Sequence, residues 1–244
     1  MGEARRRRET GAVSRSARRR IRRQIISAAA AFVAVFGLGG LYYVLTTPGA
    51  APVNDLPQVR PDGPPFPTEV DRFGVSVGSM DAPVVVREFA DYQCPACARL
   101  APIMERFRER YVASGKVRLV YFDFPLDLHP NAVPAAMAAR CAADQGAYWT
   151  MQGRLFAQQS QWAEEADPVQ RFLGYARDLG LDAERLRHCI AADRYRDDVE
   201  RSRQVAARLR VRRTPTVYVN NVRLTRPGWY QLSGVAERVL AGSK

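Results

Sequence analysis

Two cysteines separated by two residues, Cys94 and Cys97 in "EFADYQCPACARL", are the residues of this chain whose types and spacing bear most directly on chemistry. A C-x-x-C pair is half of a zinc site, a structural disulfide, or a dithiol that is oxidised and reduced in turnover. Zinc would need two further ligands. Only Cys141, Cys189, His129 and His188 are candidates, and none forms a second close pair. The stretch "VVVREF" before the cysteines is rich in β-branched residues and reads as a strand. After them, Leu100, Ile103, Met104, Phe107 and Tyr111 recur at helical spacing. The pair therefore sits at a strand-to-helix junction. A sulfur there meets unpaired backbone N–H groups and the positive end of the helix dipole, which together favour thiolate over thiol. In such positions the pKa falls to roughly 3.5–7.5. Cys94 is expected to be the exposed nucleophile and Cys97, one turn inward, the buried partner that resolves a mixed disulfide. Pro95 suits the first helical turn, where its missing N–H costs nothing. Redox use is the favoured reading, ahead of a structural bridge and a metal clip, and no metal is assigned.

The elements that must hold this pair follow from the pattern around it. "KVRLVYFDFPL" reads as a second strand, parallel to the first and joined to it through the helix that Gly115 ends, so the centre is a βαβ unit. Residues 130–210 are rich in alanine and charge, with helical periodicity broken by Gly and Asp-Pro, and are expected to form four or so helices. Strand character returns in "PTVYVNNVRL", two short runs joined at Asn220-Asn221, which tolerates the left-handed backbone of a tight hairpin. A last helix, "YQLSGVAERVLAG", follows. The fold class is α/β, ordered βαβ, helical block, ββα.

The charge of +12 is not spread over this unit: residues 1–23 hold ten arginines against Glu3 and Glu9, a net +8 that leaves +4 for the rest. A nucleic-acid partner is therefore not expected of the folded part. Ile25 to Leu45 is an uncharged apolar run of 21 residues, long enough as a helix to span a bilayer core of ~30 Å. With arginines before it and no Lys or Arg in the flank "TTPGAAPVNDLP" after it, the run predicts a cytoplasmic N-terminus. A cleaved signal peptide is the rival, since "RRQII" resembles a twin-arginine pattern and small residues follow at 49–51. The run exceeds the ~7–15 apolar residues of a signal peptide, which favours an uncleaved anchor. Seven prolines between Thr46 and Thr68 then make a semi-extended tether. The expected organisation is a basic cytoplasmic segment at 1–23, a transmembrane helix at 24–46, a Pro-rich linker at 47–72 and one domain at 73–244. The protein is expected in the cell membrane, single-pass, with its domain outside the cytoplasm.

"EFADYQCPAC" resembles the active-site segment of thioredoxin-fold disulfide oxidoreductases, and "AAMAARCAADQGAYW" with "RRTPTVYVNN" resembles their DsbA-like branch. The likeness runs from about Val75 to Leu240. It implies a thioredoxin-like fold with a helical domain inserted at about 130–210. It also implies that Pro215 is a cis proline beside the cysteines, with Thr214 presenting its backbone to a substrate chain that adds as a strand. Glu88, six residues before Cys94, matches the buried carboxylate that relays a proton to or from the resolving cysteine. On its own the residue reads equally as a solvated strand position, and Asp91 is the less favoured acid. The resemblance implies no cofactor. Its implied partners are folding secreted proteins with free thiols and a quinone-linked membrane protein that restores the disulfide. Two features depart from the pattern: Pro95-Ala96 lacks the His that supports the thiolate in strongly oxidising relatives, and Arg210, Arg212 and Arg213 bring positive charge toward Thr214.

Cys141 and Cys189, 48 positions apart, are expected to form a structural disulfide in an oxidising compartment, with two buried thiols or a second exchange step as alternatives. A bridge closing a loop of that length stabilises by ~3–4 kcal/mol in the chain-entropy model. His129, His188 and the three tryptophans are read as structural. The expected function is a membrane-anchored thiol-disulfide oxidoreductase that donates the Cys94–Cys97 disulfide. A reductase or isomerase using the same site, and a peptide-binding chaperone without turnover, are the alternatives.

Overall fold

The computed structural model describes Gln24, residues 56–58 and residues 64–242. The chain divides into two compact units, Met1–Asp55 and Leu56–Lys244. The basic segment, almost all of the expected transmembrane helix and much of the expected linker lie outside the described residues. Among the described residues no helix is long and apolar enough to cross a membrane.

The sheet of the second unit is built around β2, Val84–Ala90, whose β-branched start is buried from end to end apart from the half-exposed Val85. It pairs in parallel with β3, Val117–Asp123, placing Glu88 opposite Tyr121. Between them runs α1, Pro95–Phe107, whose last turn widens into a π-helical turn at Arg108–Val112 and stops before Gly115 at a φ of 73°. Leu100, Met104 and Phe107 of α1 pack with Val84 and Val86 of β2 in one core, and Phe89 packs in another on the sheet's opposite face. Alternation along one strand thus separates two cores. β1, Val75–Val77, runs antiparallel to β3 at the sheet edge. Three residues are too few to show a period of two, which is why this strand leaves no sequence signal. Gly74, just before it, is held against β3: a Cβ there would lie 2.6 Å from Val120 Cγ1 and 2.9 Å from the Tyr121 carbonyl oxygen.

After the helical block come β4, Thr216–Val219, and β5, Val222–Arg223, turned at Asn220 with a φ of 49°. β4 lies antiparallel to β2, and the sheet order is β1-β3-β2-β4-β5. The inserted block contains six helical segments rather than four: α2 (Ala132–Ala143), α3 (Tyr148–Ala157), α4 (Gln159–Trp162), α5 (Val169–Asp178), α6 (Ala183–Ala191) and α7 (Arg196–Arg208). Local stops divide the longer periodic runs. Asp182, for one, accepts from the N–H groups of Glu184 and Arg185 and so starts α6. Cys141 of α2 and Cys189 of α6 are joined by a disulfide with their Cα atoms 5.9 Å apart. The closing helix α8, Trp229–Gly242, packs Leu232, Val235 and Ala236 against the α1 side of the sheet.

Residues 64–72, placed in the linker on sequence grounds, belong to the packed unit. Thr68–Phe73 forms a 3-10 turn whose Asp71 is buried beside two buried arginines. Its carboxylate accepts from Arg87 Nε at 2.6 Å, Arg87 Nη2 at 2.8 Å and Arg118 Nη2 at 2.6 Å. Phe66 lies under the Arg87 guanidinium at 4.2 Å, and its N–H donates to Asn221 Oδ1 at 2.9 Å. Proline density argues against regular helix and strand, but it says nothing about a short 3-10 turn or a buried charge that needs a partner.

Candidate active site

Cys94 is the N-cap of α1, with extended backbone angles, and Pro95 follows at the first helical position. The carbonyl of Cys94 accepts from the N–H groups of Cys97 and Ala98, both at 3.1 Å, which fixes Cys97 one turn inward. Both thiols are free, and Cys94 keeps 8% of its surface exposed while Cys97 has none. Thr214–Pro215 is a cis peptide bond, and Cys94 Sγ donates to the Thr214 carbonyl oxygen at 3.7 Å. This pairing follows from the topology: Phe89, near the end of β2, is in register with Thr216, the first residue of β4.

The two sulfurs occupy opposite electrostatic settings. The Cys94 thiol is pulled down to about 5, first by the hydrogen bond from the Cys97 thiol, against burial, and further by Thr214 and the N–H groups of Cys97 and Ala96. The Thr214 hydroxyl is buried and has no partner among the described residues, so it is free to donate to the thiolate. Burial drives Cys97 far the other way, and the hydrogen bond to Cys94 adds to this. One sulfur is a thiolate at neutral pH and the other a thiol, as a nucleophile and its resolving partner require. No side chain between the cysteines takes part, so the missing His leaves the thiolate supported by the helix end and by Cys97.

Glu88 is buried at 3% exposure, and desolvation pushes its pKa up to about 8. Its charge, when present, raises Cys97 further, which places the carboxyl within electrostatic reach of the resolving sulfur. Asp91 is different. One oxygen accepts from Gln93 N–H at 2.7 Å; the other accepts from Leu126 N–H at 2.8 Å and pairs with His129 Nδ1 at 2.7 Å. It organises the loop before Cys94, and His129 serves that same loop. Cys141 and Cys189 are not part of the site. Among the described residues, no group of three or more His, Cys, Asp or Glu is placed to hold a metal ion.

Two glutamines that sequence reasoning missed join the inserted helices to the active-site loop. Gln159 Nε2 donates to the carbonyls of Tyr92 at 2.7 Å and Cys94 at 3.1 Å. Gln93 Nε2 donates to the Ala163 carbonyl, and Gln93 Oε1 accepts from Asn131 N–H, both at 2.7 Å. Nothing in local sequence distinguishes such a glutamine from a surface one, since its partner is a backbone atom 65 positions away.

The sequence model of the family described as thioredoxin matches residues 72–235, which include every residue of this site. The chain belongs to the thioredoxin family. Its curated relatives include disulfide bond formation proteins. It is 28% identical over 169 residues to the probable disulfide bond formation protein D of Bacillus anthracis, a match covering 68% of this chain and 77% of that one. The crystal structure of oxidised BdbD from Bacillus subtilis shares this thioredoxin-family fold with a TM-score of 0.64 at 22% identity, covering 74% of this chain and 97% of that one. A 37% identical match over 176 residues is to the Na(+)/H(+) antiporter NhaA 3 of Salinispora tropica, covering 72% of this chain and 25% of the antiporter. The chain thus spans about a quarter of the length of the antiporter relatives it matches, and transport remains a property of those longer proteins.

Proposed function

We propose that this chain is a thiol-disulfide oxidoreductase whose Cys94–Cys97 disulfide oxidises pairs of client thiols. In the oxidised form a client thiolate attacks Cys94 Sγ. A client–Cys94 disulfide forms, the Cys94–Cys97 bond breaks, and its electron pair goes to Cys97, which takes a proton. A second client thiolate then attacks the client sulfur and expels Cys94 as thiolate. The client loses two electrons to form a disulfide and the enzyme dithiol gains them. The observation that carries this reading is the pair of opposed sulfurs beside the Thr214 carbonyl: Cys94 held near 5 and Cys97 held protonated.

The oxidase direction rests on the same asymmetry. A thiolate stabilised in the reduced protein makes Cys94 a good leaving group and favours the dithiol over the disulfide. The buried Glu88, with its pKa near 8, is suited to give or take the Cys97 proton. The uncharged run Ile25–Leu45 and the arginines before it support an anchor with the domain outside the cytoplasm. Reoxidation then falls to a quinone-linked membrane partner, as the family resemblance implies. Equilibration of the purified protein with glutathione buffers tests the direction. A reduction potential near roughly −120 mV is expected, and one near about −270 mV would make the site a reductase.

A further inference from the structure

Most arginines of the second unit have a partner. Arg87, Arg118, Arg140, Arg154, Arg171 and Arg203 pair with carboxylates, and several others stack on aromatic rings. Arg208, Arg210, Arg212 and Arg213 are exposed, and their guanidinium groups have no carboxylate, ring or hydrogen-bond partner among the described residues. Arg208 and Arg210 stand at the C-terminal end of α7, where the helix dipole already favours a cation. Arg212 and Arg213 lie beyond the helix and have no such local explanation. Arg213 directly precedes Thr214, whose carbonyl is 3.7 Å from Cys94 Sγ.

The ends of the neighbouring strands converge on this place. β2 leads into Cys94, β4 starts after Pro215, and β3 leads into the loop carrying Leu128, whose side chain is 73% exposed. Two exposed, unneutralised cations thus directly precede Thr214, whose carbonyl lies beside the Cys94 sulfur. A client cysteine bonded to Cys94 has its backbone beside Thr214. With a strand rise of about 3.3 Å per residue, the client's next one or two residues pass Arg213 and Arg212.

We propose that Arg212 and Arg213 form a specificity surface that selects extended client segments carrying Asp or Glu within two residues of the reacting cysteine. This deepens the function proposed above and rests on it. An acidic neighbour meets the free guanidinium groups, while a basic neighbour is repelled and leaves them unneutralised. The contacts are solvent-exposed, so the preference is modest and sensitive to salt.

The test is the rate of disulfide exchange between the oxidised protein and three synthetic peptides. Each holds one cysteine, flanked by Glu, by Gln or by Lys. At low ionic strength the Glu peptide is expected to react about tenfold faster than the Lys peptide, with the Gln peptide between them. The ratio should collapse toward one in high salt. Arg212→Gln with Arg213→Gln should abolish the ratio, and Arg212→Glu with Arg213→Glu should invert it. Using the ratio cancels any change in the sulfur's own reactivity. Equal wild-type rates for the Glu and Lys peptides at low salt overturn the proposal, as does a preference that survives both double variants. If the wild-type protein fails to react with the Gln peptide, the exchange function itself is wrong.

Discussion

The sulfur of Cys94 stands 3.7 Å from the carbonyl oxygen of Thr214, a residue 120 positions later in the chain and on the N-terminal side of a cis peptide bond. This contact joins the start of α1 to the start of β4. It leaves the attacking sulfur beside the half-buried backbone of Thr214 and Pro215.

The strongest influence lowering the Cys94 pKa is the Cys97 thiol, so Cys97→Ala should raise that pKa from about 5 toward the ordinary thiol range. Thiolate absorbance at 240 nm, followed against pH in the reduced protein, reads this directly. The linkage has a definite sign. A thiol whose pKa is depressed on folding releases its proton earlier in the folded state, so the reduced protein gains stability as pH rises through the window from about 5 to 9. In Cys97→Ala that gain should shrink.

Glu88 carries the opposite sign. Its folded pKa of about 8 lies above the ordinary 4.5, so the folded state holds the proton longer and stability falls as pH rises between those values. The slope attributable to this one group approaches 1.4 kcal/mol per pH unit. In the oxidised protein, where Cys94 does not titrate, Glu88→Gln should flatten the urea-denaturation profile across that window and leave the protein more stable than wild type at pH 8. It should also slow resolution of a mixed disulfide by Cys97 by about a hundredfold, if the carboxyl relays the proton. A flattened stability profile with an unchanged resolution rate would make Glu88 a buried passenger.

Asp71 is the anion between two buried arginines, and Asp71→Ala leaves both without it. The expected loss is about 3–5 kcal/mol, seen as a lower urea midpoint. A loss under about 1 kcal/mol would mean that Thr68–Phe73 is only loosely attached to the sheet.

Much of this arrangement is legible in the sequence because it depends on local pattern. The β-branched run before Cys94 and the helical spacing after it place the two sulfurs at the start of α1, and Asn220-Asn221 marks the hairpin. What escaped depends on partners distant in sequence. Asp71 reads as one more charge in a Pro-rich segment until Arg87 and Arg118 are seen to face it. Gln159 has no local signature for its contact with the Cys94 carbonyl, and β1 is too short to show alternation. Glu88, beside Arg87 in an otherwise apolar strand, reads equally as a solvated position; its burial makes it a perturbed carboxyl.

The proposed exchange depends on Cys94 as the attacking sulfur and Cys97 as the resolving one. The most direct measurement uses Cys97→Ala and Cys94→Ala in parallel, each reduced, mixed with a peptide disulfide at pH 7 and analysed by peptide mapping. A stable mixed disulfide on Cys94 is expected in the first variant and almost none on Cys97 in the second. Equal trapping at Cys97, or no adduct at Cys94, would contradict it.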